Sequence, residues 1–242
     1  MSLADDIAQW IATVVHDAGS DGVVIGLSGG IDSAVTVVLA KRGLPDGVLG
    51  AILPCESDPA DAEDARLVAA TFDIPTTEID LTSAYRALVA VLPDAPDLVR
   101  ANIKPRLRMT ALYYLAASRG YLVCGASNRS ERMVGYFTKH GDGAADILPI
   151  GSLLKFEVRQ LARQLGVPDR IISKPPSAGL WTGQTDEGEM GMTYGLLDAV
   201  LRAMDNREMD AVPAAATTRV RKLMAATAHK RGAPPVFVPR KH

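Results

Sequence analysis

The chain has 242 residues, 48% of them apolar and 22% charged, with a formal net charge of −2. A chain of that length buries a full core without metal or disulfide staples, and near-neutrality leaves no overall electrostatic footprint for nucleic acid, only room for a local basic patch. The two cysteines, Cys55 and Cys124, allow one bridge at most and lack zinc-ligand spacing; each ends an apolar strand-like run, so both are expected to be buried, reduced thiols.

The N-terminal segment MSLADDIAQW carries two acids and no basic run, unlike a signal peptide. Ile7, Ile11, Val14 and Val15 then recur at helical spacing and predict an amphipathic helix over residues 3–18, ended by Gly19 and Gly22. Residues 23–27 form a short β-branched run between glycines and read as a buried strand. A helix over 31–42, a turn at 45–47 and a second strand over 48–53 follow. Residues 58–72 read as a helix with Asp58 as N-cap and Pro59 at the first helical position. A third strand is expected over 75–79, helices over 82–92 and 98–118, and a fourth strand over 121–124. Pro105 must kink the second of these helices or mark its true start. Residues 128–154 break the rhythm with Gly, Asp and charge. Residues 155–165 read as helical, 173–189 as a long loop, and two helices are expected near 190–204 and 213–229. Tyr194, Leu197, Val200 and Leu201 share one face, which suits either the core or a second subunit.

Alternating strands and helices with short connections imply an α/β fold, a doubly wound and mostly parallel sheet with helices on both faces. One domain is expected over 1–242. No apolar run nears the ~20 residues that span a bilayer, so the chain is expected to be cytoplasmic.

The strongest local signal is Gly26-Leu27-Ser28-Gly29-Gly30-Ile31-Asp32-Ser33, which follows a predicted strand and opens a predicted helix. A helix N-terminus offers unpaired N–H groups and partial positive charge to a phosphate. Gly29 and Gly30 let the backbone approach the anion, and Ser28 and Ser33 add hydroxyl donors. Asp32 would repel phosphate directly and makes sense mainly as a magnesium ligand bridging to it. The Gly-Lys-Ser/Thr ending of a Walker A loop and the dinucleotide G-x-G-x-x-G pattern are both missing. Taken alone, two glycines would make only a tight turn capped by a serine.

The S-G-G-x-D-S run resembles the pyrophosphate loop of the ATP pyrophosphatase superfamily, which includes NAD, GMP and asparagine synthetases and tRNA-thiolating enzymes. The resemblance implies a Rossmann-like, adenine nucleotide alpha hydrolase-like fold and cleavage of ATP to AMP and pyrophosphate. NIKPRLRM at 102–109, GASNRSERMVGYFTKHGDGAADILPI at 125–150, Lys155, PPSAGL at 175–180, TDEGEMG at 185–191 and HKR at 229–231 narrow it further. In order and spacing they resemble ammonia-dependent NAD synthetase, over nearly the whole chain. The implied reaction activates deamido-NAD as an acyl-adenylate and lets ammonia displace AMP.

Carried over by position, the resemblance implies that Asp32 and Glu131 bind magnesium. Residues Gly26, Leu27, Ser28, Gly29, Gly30, Ile31, Asp32 and Ser33 would hold ATP, with Lys155 and Ser177 on its phosphates; Ser177 stands where a Thr is frequent. Ala126 stands where many members place an ATP-touching Thr, so one hydroxyl contact is lost. Arg106, Lys139, Asp146, His229 and Lys230 would hold deamido-NAD, and a homodimer would bind it across the subunit interface. Asp142 matches the position proposed to bind ammonium, and as a general base it would take the proton of the attacking nitrogen; otherwise it is a turn-forming Asp before Gly143. Arg106 and Arg108 are two positions apart and point to different helix faces, so one of them is expected in the site, and the resemblance favours Arg106. His229, beside Lys and Arg near a helix end, is equally suited to exposed decoration.

Lys155 would clamp phosphate charge during the first step. The loops at 139–146 and 173–189, with glycines and Trp181, are composed like lids. The length leaves no room for a glutaminase domain, and neither cysteine has the setting of a glutaminase nucleophile, so free ammonia is the expected direct nitrogen source unless another subunit supplies it. Two rival readings remain: another ATP pyrophosphatase, and a non-catalytic nucleotide-binding protein of the same fold. The retained Asp32, Glu131 and Lys155 speak against the second.

Overall fold

The computed structural model describes residues 2–181 and 183–239; Met1, Thr182 and residues 240–242, which the expected domain and lid include, lie outside the described residues. The four expected strands all form. They are β1 (Gly22–Gly26), β2 (Val48–Ile52), β3 (Thr76–Glu78) and β4 (Tyr121–Val123), all parallel, in the order β3-β2-β1-β4. Val24 of β1 stands between Leu49 of β2 and Val123 of β4. β1 and β2 are buried on both faces, which is why their sequences are continuously apolar instead of alternating. β3 lies at the edge and is the polar one, Thr-Thr-Glu.

Successive residues of β1 feed opposite layers. Val23 and Ile25 join one core with α1 (Leu3–Asp17), α2 (Ile31–Gly43) and α8 (Lys155–Gln164); Val24 joins the other with α6 (Ile103–Ala117). Helix α1 is capped reciprocally by Ser2 and Asp5 and buries Ile7, Ile11 and Val15. Between β2 and β3, Asp58 caps α3 (Pro59–Thr71) through the Ala60 N–H at 2.9 Å. The single helix expected over 98–118 is in fact two. After α4 (Thr82–Val91), the short α5 (Asp97–Ala101) gives way at Asn102 to α6, with Pro105 in the first turn of α6, where its missing N–H costs nothing.

Three short helices escaped the sequence reading: α7 (Arg129–Val134), α9 (Asp169–Ser173) and α10 (Asp186–Met190). None has the length to show an apolar period. The chain ends with α11 (Tyr194–Asn206) and α12 (Ala214–Ala226). The shared face of Tyr194, Leu197, Val200 and Leu201 is buried within the chain against Val134, Leu154, Met190 and Val220, so it serves a second core and not a partner. Cys55 and Cys124 are both free and buried. Among the described residues no helix is long and apolar enough to cross a membrane.

Candidate active site

The chain leaves β1 toward β2 on one side and reaches β4 on the other. At such a reversal of strand order the loops after the two strands diverge and leave a crevice at their carboxyl ends. A cleft of about 990 Å³ lies there, walled by residues 26–28, 52–54 and 123–127 from the strand ends. Residues 174–181, 183, 184 and 135–138 close its flanks, together with the start of α3.

At its floor runs the glycine turn. Gly29 has φ +74°, and a Cβ on it would lie 2.3 Å from the Asp61 carbonyl oxygen and 2.9 Å from the Asp64 Cβ, so only glycine fits between β1 and α3. The turn is closed by its own serines. The Ser33 hydroxyl donates to the Gly30 carbonyl at 2.9 Å, and the Gly30 N–H donates to the Ser28 Oγ at 3.3 Å. Helix α2 carries no side-chain cap, so its N-terminus faces the cleft with the donors an anion needs.

At the same end of α2 lies a node of charge. The Lys155 Nζ, with its side chain 2% exposed, reaches Asp32 Oδ2 at 2.5 Å and Glu131 Oε1 at 3.0 Å. Burial works against the ammonium, but the two carboxylates prevail and its pKa is raised. Burial pushes the Glu131 carboxyl up, helped by Asp32 and opposed by Lys155. Asn128, fully buried, ties the node to the turn: its Nδ2 donates to Asp32 Oδ1 at 3.1 Å, and its Oδ1 caps α7 through the Glu131 N–H at 3.0 Å. The Tyr194 hydroxyl lies 2.8 Å from Glu131 Oε1 and 2.9 Å from Asp186 Oδ2, and its single proton serves one carboxylate at a time.

The other expected residues fall in two groups. Ala126, Asp142, Ser177 and Lys230 line the cleft. Asp142 is open to the cleft but crowded by its walls. That crowding raises its carboxyl pKa, while the Thr138 N–H at 2.9 Å and the Lys230 ammonium pull the other way. The Lys230 Nζ donates to the Gly135 and Phe137 carbonyls at 2.8 Å each. Arg106, Lys139 and His229 gather outside that lining: Arg106 Nη2 donates to the Lys139 carbonyl at 3.4 Å, and Lys139 Nζ to the His229 carbonyl at 2.7 Å. Of the two arginines on α6, the one in the cleft wall is Arg108, bound to the Leu53 carbonyl at 3.0 Å and the Ser57 hydroxyl at 2.9 Å. Asp146 is committed to β4, accepting from the Val123 N–H at 2.7 Å and the Tyr113 hydroxyl at 3.2 Å.

A model of the NAD synthase family matches residues 3–234. The NH(3)-dependent NAD(+) synthetase of Carboxydothermus hydrogenoformans is 51% identical over 81% of this chain and 83% of its own. That of Syntrophomonas wolfei is 46% identical over 95% and 93%. The structure of NMN synthetase from Francisella tularensis superposes with a TM-score of 0.88 at 38% identity, over 99% of this chain and 98% of that one.

The chain belongs to the NAD synthase family.

Among the described residues no group of three or more His, Cys, Asp and Glu side chains is arranged to hold a metal. The family site nevertheless suits magnesium on its donor set. Magnesium is held by one or two carboxylates plus substrate phosphates and waters, and Asp32 and Glu131 supply hard oxygens beside an uncapped helix N-terminus. Several residues of the site were not expected from sequence: Asn128, Asp186, Tyr194 and Arg108. For the first, a signal was present. Asn128 three residues before Glu131 has the spacing of a helix-capping pair.

Proposed function

We propose that this chain forms NAD from deamido-NAD, ATP and ammonia, releasing AMP and pyrophosphate. The observation that carries the reading is one cleft holding an uncapped helix N-terminus with a glycine turn on its floor and the Asp32–Lys155–Glu131 node beside it. It is supported by the match to relatives of that name over nearly their full length. On this reading the chain is one synthetase domain that uses free ammonia, acts in the cytoplasm and works as a homodimer.

In the first step a carboxylate oxygen of deamido-NAD attacks the α-phosphorus of ATP, and the bond from that phosphorus to pyrophosphate breaks. The carboxylate is already anionic, so no base is required; the obstacle is repulsion between anions. The N–H groups of residues 29–33 receive the departing phosphates, and Lys155 turns from its carboxylates toward the phosphate oxygens. Magnesium held by Asp32 and Glu131 would neutralise phosphate charge. In the second step ammonia attacks the acyl carbon, the bond to AMP breaks, and Asp142 takes the proton. Arg106, Lys139, Asp146, His229 and Lys230 would hold deamido-NAD, with the cations near its phosphates, and Ser177 and Ala126 would lie against ATP.

The resemblance to an NMN synthetase gives the mononucleotide a place as a second substrate. The test is AMP release from radiolabelled ATP with magnesium and ammonium, in parallel with deamido-NAD and with nicotinate mononucleotide. AMP that depends on deamido-NAD is the expected result. AMP with the mononucleotide alone reassigns the substrate, and ADP as product sinks the reading.

A further inference from the structure

The supports of Lys155 and Glu131 converge on a buried carboxylate that neither step uses. Asp198, on α11, is 3% exposed. Its Oδ1 accepts from the Ser130 hydroxyl at 2.5 Å and its Oδ2 from the Phe156 N–H at 2.9 Å. The Ser130 Oγ in turn accepts from the Lys155 N–H at 3.0 Å. Ser130 precedes Glu131 on α7 and is fully buried; Lys155 is the first residue of α8. One carboxylate from the second core therefore fastens together the two backbones on which Glu131 and Lys155 are mounted.

Helix α8 needs this help. Its N-cap is Leu154, whose side chain offers no acceptor to the first-turn N–H groups. Asp198 fills that role from another helix, reaching one donor directly and a second through Ser130, and it brings negative charge to the positive end of a ten-residue helix.

We propose that Asp198, acting through Ser130, is a positioning residue for adenylate formation, setting the distance between the Lys155 ammonium and the Glu131 carboxylate. It rests on the reading of those two residues as the phosphate and magnesium groups of the cleft. Asn is nearly isosteric with Asp yet breaks the arrangement. Its amide either sets a donor against the Phe156 N–H or takes the Ser130 oxygen and leaves the serine proton without its acceptor. The two helices then lose their common anchor, and misplacement of about an ångström is enough to cost ~100-fold in rate.

The variants are Asp198→Asn and Ser130→Ala, with Leu201→Ala as a packing control on the same helix. Two measurements are made on each. One is acetylation of Lys155 by acetic anhydride in the nucleotide-free protein, read by peptide mass spectrometry. The other is kcat and KM for deamido-NAD, well below the unfolding temperature. In both polar variants Lys155 is expected to acetylate about 10-fold faster and kcat to fall ~10- to 100-fold, with KM for deamido-NAD within about twofold. Leu201→Ala is expected to lose stability but keep wild-type acetylation and kcat. Wild-type acetylation and kcat in the polar variants, or the same changes in Leu201→Ala, overturn the proposal. If Asp198→Asn does not fold, Ser130→Ala, which leaves the Phe156 bond intact, carries the same expectations. Acetylation requires no turnover, so it is read even where deamido-NAD is not a substrate, and failure of the functional reading stays separate from failure of this one.

Discussion

Lys155 is an ammonium held in a dry wall by two carboxylates, and a neutral side chain in its place would leave Asp32 and Glu131 facing each other without a counter-charge. Lys155→Met keeps most of the unbranched stem and removes the ammonium, with its charge and its donors. It is expected to slow AMP release ~10²- to 10³-fold, the usual loss for one preorganised electrostatic donor, and to lower the thermal midpoint. A variant within twofold of wild type would remove Lys155 from the phosphate chemistry. Asp142 makes a different prediction because it lies on the ammonia side of the proposed reaction. Asp142→Asn should leave adenylate formation intact, measured as deamido-NAD-dependent exchange of pyrophosphate into ATP. It should raise KM for ammonium and shift the pH dependence of amide formation. Its carboxyl pKa is raised by the cleft walls, so the base form fills in at a higher pH than for an ordinary aspartate. Unchanged second-step kinetics would leave Asp142 a turn residue.

At the scale of elements, α7 is too short to hold itself and is pinned from outside. Its first residue, Arg129, forks onto Asp205 of α11 at 2.7 and 2.6 Å. The guanidinium hydrogen bonds hold the Asp205 carboxyl below the usual aspartate range. A depressed folded-state value means stability that is present above the unfolded pKa and lost as the pH falls through the folded one. The pair is largely open to solvent, so the gain is small. Asp205→Asn is expected to cost up to about 1 kcal/mol at neutral pH and nothing in acid below the folded value, read by urea melts at both pH values. The segment 173–189 depends on a few anchors of the same kind. Lys174 reaches Asp61 at 2.8 Å and Asp64 at 2.5 Å, and Lys104 holds the Leu180 carbonyl at 3.0 Å. Ahead of α10, whose Asp186 is held by Tyr136 and Tyr194, the described residues of this loop have few other long-range ties, and such a stretch opens locally at low cost. Chymotrypsin, which cuts after an exposed Trp181, is expected to cut it in the free protein and to be blocked by ATP with deamido-NAD; equal cleavage in both states counts against a lid.

For the whole molecule, Val91, Leu92, Leu98 and Val99 stay exposed around α4 and α5, by 78, 46, 54 and 54%. This face, and not the buried α11 stripe, is a candidate for the proposed second subunit. Light scattering is expected to give a dimer for the wild type and a monomer for Val91→Glu with Val99→Glu; a dimer in both would move the interface elsewhere. The succession of the four strands and the longer helices, the cap at Asp58, the glycine turn between β1 and α2, and the family resemblance were legible in the sequence. Each is a local property, written in the spacing of apolar residues, in one capping side chain, or in a contiguous motif. Only the tertiary structure decided that the 98–118 helix breaks at Asn102, that Arg108 enters the cleft wall while Arg106 joins Lys139 and His229, and that Asp198 reaches Ser130 across 68 residues of chain. Those outcomes depend on which helix face meets the sheet and on which distant carboxylate completes a short helix. No window of sequence holds that information, because the partners come together only when two separate cores pack.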